Sequence, residues 1–214
     1  MPEAIVPRSG WTGLLLAGGR SARMGTEKGR LPHDPRSGID LFSKMVQRLQ
    51  ACCSQTLVLG GDRGFEQDGL MQDPIPDAEA HAGPLQALLH SATSWPTSWT
   101  LVLPLDMPAL DASLLHNGQQ AAEQALEEGH PAMFALDPQE RGCFPLWLHQ
   151  DALQPLKEFR SRGQRSLFAG LKHVGALGWR PSATRKVPGG DPFRNLNTPA
   201  DLQAWHDCLP SQDA

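Results

Sequence analysis

Between Leu16 and Lys28 the chain reads LAGGRSARMGTEK, with three glycines, two arginines and a lysine in thirteen residues. Glycines let backbone amides approach a phosphate chain, and Arg23 and Lys28 can offset its charge. The spacing matches neither GxGxxG nor GxxxxGK[ST], so the dinucleotide fingerprint and the P-loop are both excluded. Composition alone also allows a glycine turn bearing solvated basic residues. A lone carboxylate, Asp106, stands where the run Leu101-Val102-Leu103-Pro104-Leu105 ends. A hard oxygen ligand suits magnesium, which takes one or two carboxylates and completes its shell with phosphate and water. A turn or cap before Pro108 would use the same residue equally well.

Two further groups have the chemistry to hold an anionic or polar ligand. Asn195 and Asn197, two apart on an extended segment, would face one side and offer both donors and acceptors, or would only shape the turn into a last helix. Arg162 and Arg165 offer guanidinium forks for a phosphate, or mark a solvated helix start. The eight histidines show no paired ligand spacing of the HExxH kind. Cys52, Cys53, Cys143 and Cys208 lack the gaps of zinc or redox sites and read as reduced thiols.

The elements that must carry these residues follow from periodicity. Thr12 to Ala17, Thr56 to Leu59 and Leu101 to Leu105 are short apolar runs that read as buried strands. Leu41, Met45, Val46 and Leu49 recur at helical spacing, and a second helix begins at Gly83-Pro84 with Leu85, Leu88 and Leu89. Further on come a helix around Leu114 to Leu126, strands around Ala132 to Leu136 and Phe144 to Leu148, and a helix from Asp151 to Phe159. Thr198-Pro199 signals the start of a last helix. Pro32 to Asp40 reads as irregular, Pro210 to Ala214 as frayed, and the tryptophans as packing residues. The alternation of strand and helix predicts an α/β fold with a mostly parallel sheet, in which ligands bind beyond the carboxyl ends of the strands.

A chain of 214 residues without an evident linker is expected to fold as one domain, residues 1–214. The net charge of -4 and pI near 6.0 argue against a general nucleic-acid binder, which would carry a basic stripe. The longest apolar run is too short to span a membrane. A cytoplasmic location is therefore expected.

LAGG followed by RSARMG and a lysine resembles the opening of the α/β/α nucleotidyltransferases, and LAGG in particular resembles the molybdenum cofactor guanylyltransferase family. The DMPxL element at Asp106, the GPL turn at Gly83 and the NxNTPxDL element from Asn195 to Leu202 are similar to that family's motifs and occur in its order. The resemblance implies a three-layer α/β/α Rossmann-like nucleotidyltransferase fold. It implies transfer of GMP from GTP to molybdenum-loaded molybdopterin, with pyrophosphate released and Mg2+ as cofactor. On that likeness Leu16, Ala17, Gly18, Gly19 and Gly60 line the nucleotide, Lys28 and Arg23 bind its phosphates, and Asp106 is the metal ligand. Asp77 is the second site carboxylate, with Asp73 as the alternative. Asn195, Asn197, Arg162 and Arg165 would receive the acceptor. Molybdoenzyme apoproteins or chaperones are candidate protein partners.

Three departures stand out. Leu31 to Leu41 replaces the family's GKPLL stretch, Gly60 stands where relatives often carry asparagine, and Glu27 replaces an aspartate. A transferase using CTP, one acting on a sugar or polyol phosphate, and a non-catalytic GTP or cofactor binder remain as alternatives.

Overall fold

The computed structural model describes residues 7–18, 28–61, 63–76, 83–181 and 191–209. Ten strands occur along them. They are β1 (Arg8–Leu16), β2 (Pro32–Asp34), β3 (Ile39–Asp40), β4 (Cys53–Leu59), β5 (Phe65–Gln67), β6 (Leu70–Gln72), β7 (Trp99–Pro104), β8 (Ala132–Leu136), β9 (Gly142–His149) and β10 (Leu177–Trp179). Six of them form a central sheet whose spatial order is β10-β8-β9-β7-β1-β4, and the other four make two small hairpins outside it, β2–β3 and β5–β6. Pairings β1 with β4, β1 with β7 and β8 with β10 are parallel, and in the central sheet only β9 runs against its neighbours.

Alternation along the strands feeds two cores, because successive side chains leave opposite faces of a sheet. Leu15, Leu101, Leu103, Met133 and Trp147 pack on one face. That face is covered by α1 (Leu41–Cys52), α3 (Ala112–Glu127) and α6 (Pro199–Asp207). Leu14, Val102, Phe134, Leu146 and Leu148 pack on the other, under α2 (Pro84–Ser91), α4 (Leu153–Ser161) and α5 (Leu167–His173). Strands buried on both faces need apolar residues at every position, hence the unbroken runs in the sequence. The expected α/β/α layering is present.

The helices start where local chemistry stops the chain from continuing extended. Asp40, Asp111 and Thr198 each accept a hydrogen bond from a first-turn amide of α1, α3 and α6, which satisfies donors that have no partner inside the helix. Pro84 and Pro199 occupy first-turn positions of α2 and α6, where the missing N–H costs nothing.

Several elements differ from the sequence reading. The Pro32 to Asp40 stretch is a hairpin rather than irregular chain, and β5–β6, α5 and β10 are additions to the expected set. The helix expected from Asp151 begins with a 3-10 turn, so α4 covers Leu153–Ser161. Asp68 and Gly69 both have positive φ, 52° and 78°, the conformation a two-residue hairpin turn demands, and Asp-Gly was its signal. The β5–β6 hairpin shields edge strand β4: the Gln67 side chain accepts from Thr56 N at 2.9 Å and donates to Ser54 O at 3.2 Å. An amide side chain thus occupies ladder positions that another chain could otherwise pair with.

α3 lies against β9 through Gly118, where a Cβ would meet Trp147 Cζ2 at 2.0 Å. Trp147 is fully buried and cannot swing away. Helix propensity favours Gly118→Ala by ~1 kcal/mol, yet the substitution is expected to destabilise by ~2 kcal/mol or more through overpacking. Urea midpoints of the two proteins decide the sign.

Candidate active site

The parallel register sets Leu16 opposite both Leu59 and Pro104, so β1, β4 and β7 end at one edge of the sheet. Beyond Leu16 the chain does not continue the ladder. Ala17 N and Gly18 N both donate to Leu59 O, at 2.9 and 3.1 Å, curling the strand exit over the end of β4. Gly60 and Gly61 turn away with φ of 74° and 77°, a region that favours glycine. Gly60 N donates to Ile75 O and Ile75 N to Val58 O, which brings the 73–76 segment alongside the same edge. Gly60 is buried and Asp73 exposed. Gly19, Arg23 and Asp77 lie outside the described residues.

Lys28 opens a 3-10 turn, Lys28–Arg30. Its successor Gly29 is buried, and a Cβ there would sit 3.3 Å from Phe42 and 3.5 Å from Leu105. This close passage carries Lys28 to the loop after β7. In that loop Leu105, Met107, Ala109 and Leu110 are buried and fix the backbone, while Asp106 between them stays partly exposed. Lys28 Nζ donates to Asp106 Oδ2 at 3.0 Å and to Asn197 Oδ1 at 3.2 Å. Residues 169 positions apart in sequence therefore meet at one ammonium.

The C-terminal element docks through two apolar side chains. Phe193 and Leu196 are buried, Asn195 and Asn197 exposed, and Leu196 N donates to Asp106 O at 2.8 Å. Both asparagines face outward as expected, but only Asn197 meets Lys28, and Asn195 makes no hydrogen bond among the described residues. Asp201 accepts from Asn197 N, Thr198 N and Thr198 Oγ1 at 2.8 to 3.0 Å. The Thr198 hydroxyl, then the Asn197 amide, hold the Asp201 carboxyl below its ordinary pKa. The N-terminal donors of α6 are thus partly engaged within the chain.

Arg162 and Arg165 are exposed on the turn between α4 and α5, and their guanidinium groups have no partner among the described residues. β9 begins at the carboxyl edge and ends at the opposite one, so α4 rises and α5 descends. Phe168 at the head of α5 packs edge-on against Phe134 and Phe144. The chain order therefore puts this turn on the same edge as Asp106, although neither arginine contacts Lys28, Asp106 or Asn197.

Among the described residues no group of three His, Cys, Asp or Glu could enclose a metal. A single half-shielded carboxylate instead fits a hard cation that takes its remaining ligands from phosphate and water. Asp106 has that character, with Oδ1 unoccupied by any hydrogen bond among the described residues.

The β2–β3 hairpin contributes residues that no motif announced. Trp205 Nε1 donates to His33 O at 2.8 Å and His206 Nε2 meets Pro32 O at 2.9 Å. The His33 ring packs edge-on against Trp205, and its Nε2 lies 3.4 Å from both Pro108 O and Arg48 Nη2. Burial first, then the Arg48 charge, lowers the His33 pKa from 6.5 to about 4. The unfolded chain therefore takes this proton first as pH falls. Stability owed to neutral His33 is complete above about pH 6.5 and is lost progressively toward pH 4. Urea midpoints at about pH 7 and pH 5 should differ less in His33→Gln than in the parent, and equal acid sensitivity would contradict the assignment.

Comparison with known proteins gives the family and the fold. Residues 13–175 match the family model of the MobA-like NTP transferase domain. The chain is 33% identical over 201 residues to a molybdenum cofactor guanylyltransferase of Yersinia pestis (strain Pestoides F), covering 91% of this chain and 94% of that one. In structure it is similar to the molybdopterin-guanine dinucleotide biosynthesis protein A of Archaeoglobus fulgidus, with a TM-score of 0.69 at 20% identity over 92% and 97% of the two chains. The 2-C-methyl-D-erythritol 4-phosphate cytidylyltransferase of Thermus thermophilus shares the fold at a TM-score of 0.59 and 12% identity, over 91% and 96%.

Proposed function

The chain belongs to the MobA-like NTP transferase family and is a nucleotidyltransferase, and we propose that it transfers GMP from GTP to molybdenum-loaded molybdopterin. The products are the guanine dinucleotide form of the cofactor and pyrophosphate. The observation that supports this most is the meeting of Lys28, Asp106 and Asn197 at the edge where β1 and β7 end, beside the Leu16 to Gly18 exit. The reading also takes its acceptor from the Yersinia pestis relative, which carries that function in its name.

In this reading the backbone at Leu16, Ala17, Gly18 and Gly19 cradles the nucleotide, with Gly60 closing the wall beside it and Asp77 as the second site carboxylate. Asp106 would hold Mg2+, which would supply positive charge to the triphosphate and its leaving group. Lys28 and Arg23 bind phosphate oxygens and neutralise the charge that builds on them. A terminal phosphate oxygen of the acceptor attacks the α-phosphorus in line, the bond to the β-phosphate oxygen breaks, and pyrophosphate departs with that electron pair. Arg162, Arg165 and Asn195 receive the acceptor's phosphate. Asn197, through Lys28, belongs to the nucleotide side rather than to the acceptor. No covalent enzyme intermediate is required, and positioning with electrostatics carries the rate.

The whole chain, residues 1–214, acts as one catalytic domain in the cytoplasm and hands its product to molybdoenzyme apoproteins or their chaperones. No helix among the described residues is long and apolar enough to cross a membrane.

Pyrophosphate release from each of the four NTPs with Mg2+, with and without molybdenum-loaded molybdopterin, tests the reading. Acceptor-dependent release from GTP alone is expected, falling roughly hundredfold or more in Asp106→Ala. Turnover of CTP in place of GTP would move the protein to the cytidylyl branch, and no turnover with any nucleotide would leave a binding role.

A further inference from the structure

Asp106, read above as the metal ligand, already holds a cation. Lys28 Nζ sits 3.0 Å from its Oδ2 and 3.2 Å from Asn197 Oδ1. The two side chains are only 16% and 24% exposed, so water screens the pair weakly. A lysine ammonium concentrates its charge at one point. A dication bound about 2.1 Å from either carboxylate oxygen would lie a few ångströms from that charge, and like charges so placed repel strongly in a partly desolvated site. Taken by itself the Lys28–Asp106 pair is neutral, so it offers a free divalent cation no net negative charge.

A nucleoside triphosphate changes both conditions. Its oxygens compete for the ammonium that Asp106 and Asn197 now share, and they furnish the ligands that one carboxylate cannot. Removing Lys28 from Oδ2 uncovers the carboxylate when those ligands arrive.

We infer that the Lys28–Asp106 pair is a latch that admits the divalent cation only together with the nucleotide. Lys28 screens Asp106 from free cation until a triphosphate draws the ammonium away. Asn197 keeps the ammonium beside the carboxylate between turnovers, which ties the C-terminal element to the state of the nucleotide loop. The inference rests on Asp106 as the metal ligand but on neither the base nor the acceptor.

Mn2+ alone, without nucleotide, is the probe, with the signal of the free aquo ion in electron paramagnetic resonance reporting binding. Lys28→Met is expected to bind Mn2+ roughly fivefold or more tightly than the parent, the low end of usual coupling between sites. Adding Asp106→Asn to Lys28→Met should abolish that gain. Lys28→Gln repeats the measurement with a polar residue, and circular dichroism melts verify that each variant is folded. If neither Lys28 variant binds Mn2+ more tightly than the parent, or if the gain survives Asp106→Asn, the latch is overturned. The reading of Asp106 is judged separately, by Mn2+ binding to Asp106→Asn in the presence of a non-hydrolysable GTP analogue. Weakened binding there retains Asp106 as ligand even where the latch fails, and unchanged binding removes both.

Discussion

The register of three parallel strands is the constraint from which the site follows. With Leu16 set between Leu59 and Pro104, the glycine loop, the Gly60-Gly61 turn and the Asp106 loop all leave the sheet at one edge. A shift of a single residue in β7 would exchange the faces of Leu101, Val102 and Leu103 and misfit the side-chain packing of both cores at once. The apolar side chains that hold the register are therefore also what holds Asp106 level with the strand exit of β1. The placing of Asp106 and the packing of the core are one requirement in this fold.

Long-range contacts then close the site from the far end of the chain. Leu196 N on Asp106 O fixes the C-terminal segment by backbone, and Asn197 meets Lys28 by side chain. Trp205 and His206 grip the β2–β3 hairpin through its carbonyls. This gives a physical account of how the chain tolerates the unusual Leu31 to Leu41 stretch. α6 holds the hairpin largely through its backbone carbonyls, the His33 ring adds a packed side chain against Trp205, and Gly29 passes close to Phe42 and Leu105.

Much of this was legible in the sequence where one local pattern sufficed. The runs before Gly18, Gly60 and Asp106 announced β1, β4 and β7 because strands buried on both faces cannot hide their apolar character. Leu41, Met45, Val46 and Leu49 announced α1 for the analogous reason, and Thr198-Pro199 announced α6. What escaped reading depends on partners remote in sequence. The β2–β3 hairpin has only three and two strand residues, too few for a period, and is held by α6. β10 has three residues and exists through its pairing with β8. The Asp68-Gly69 turn and the Ser166 cap of α5 were readable signals, obscured by the short elements they serve. Within the site, the glycines, lysine and aspartate had a local signature. The Asn197 to Lys28 bond had none, since alternation could say which way Asn197 faces but not what it faces.

Charge sets the remaining requirement. Lys28 and Asp106 cancel one another, and the amides at the head of α6 are capped internally by Asp201. The Lys28–Asp106 pair and the head of α6 therefore offer little net attraction to a triphosphate or to an acceptor phosphate. Arg162 and Arg165, exposed on the same edge, are cations outside that pair. Such an arrangement favours discrimination over tight capture. A site whose charges are paired at rest rewards a ligand that can re-pair all of them together, and a lone anion or a lone cation leaves one partner uncompensated.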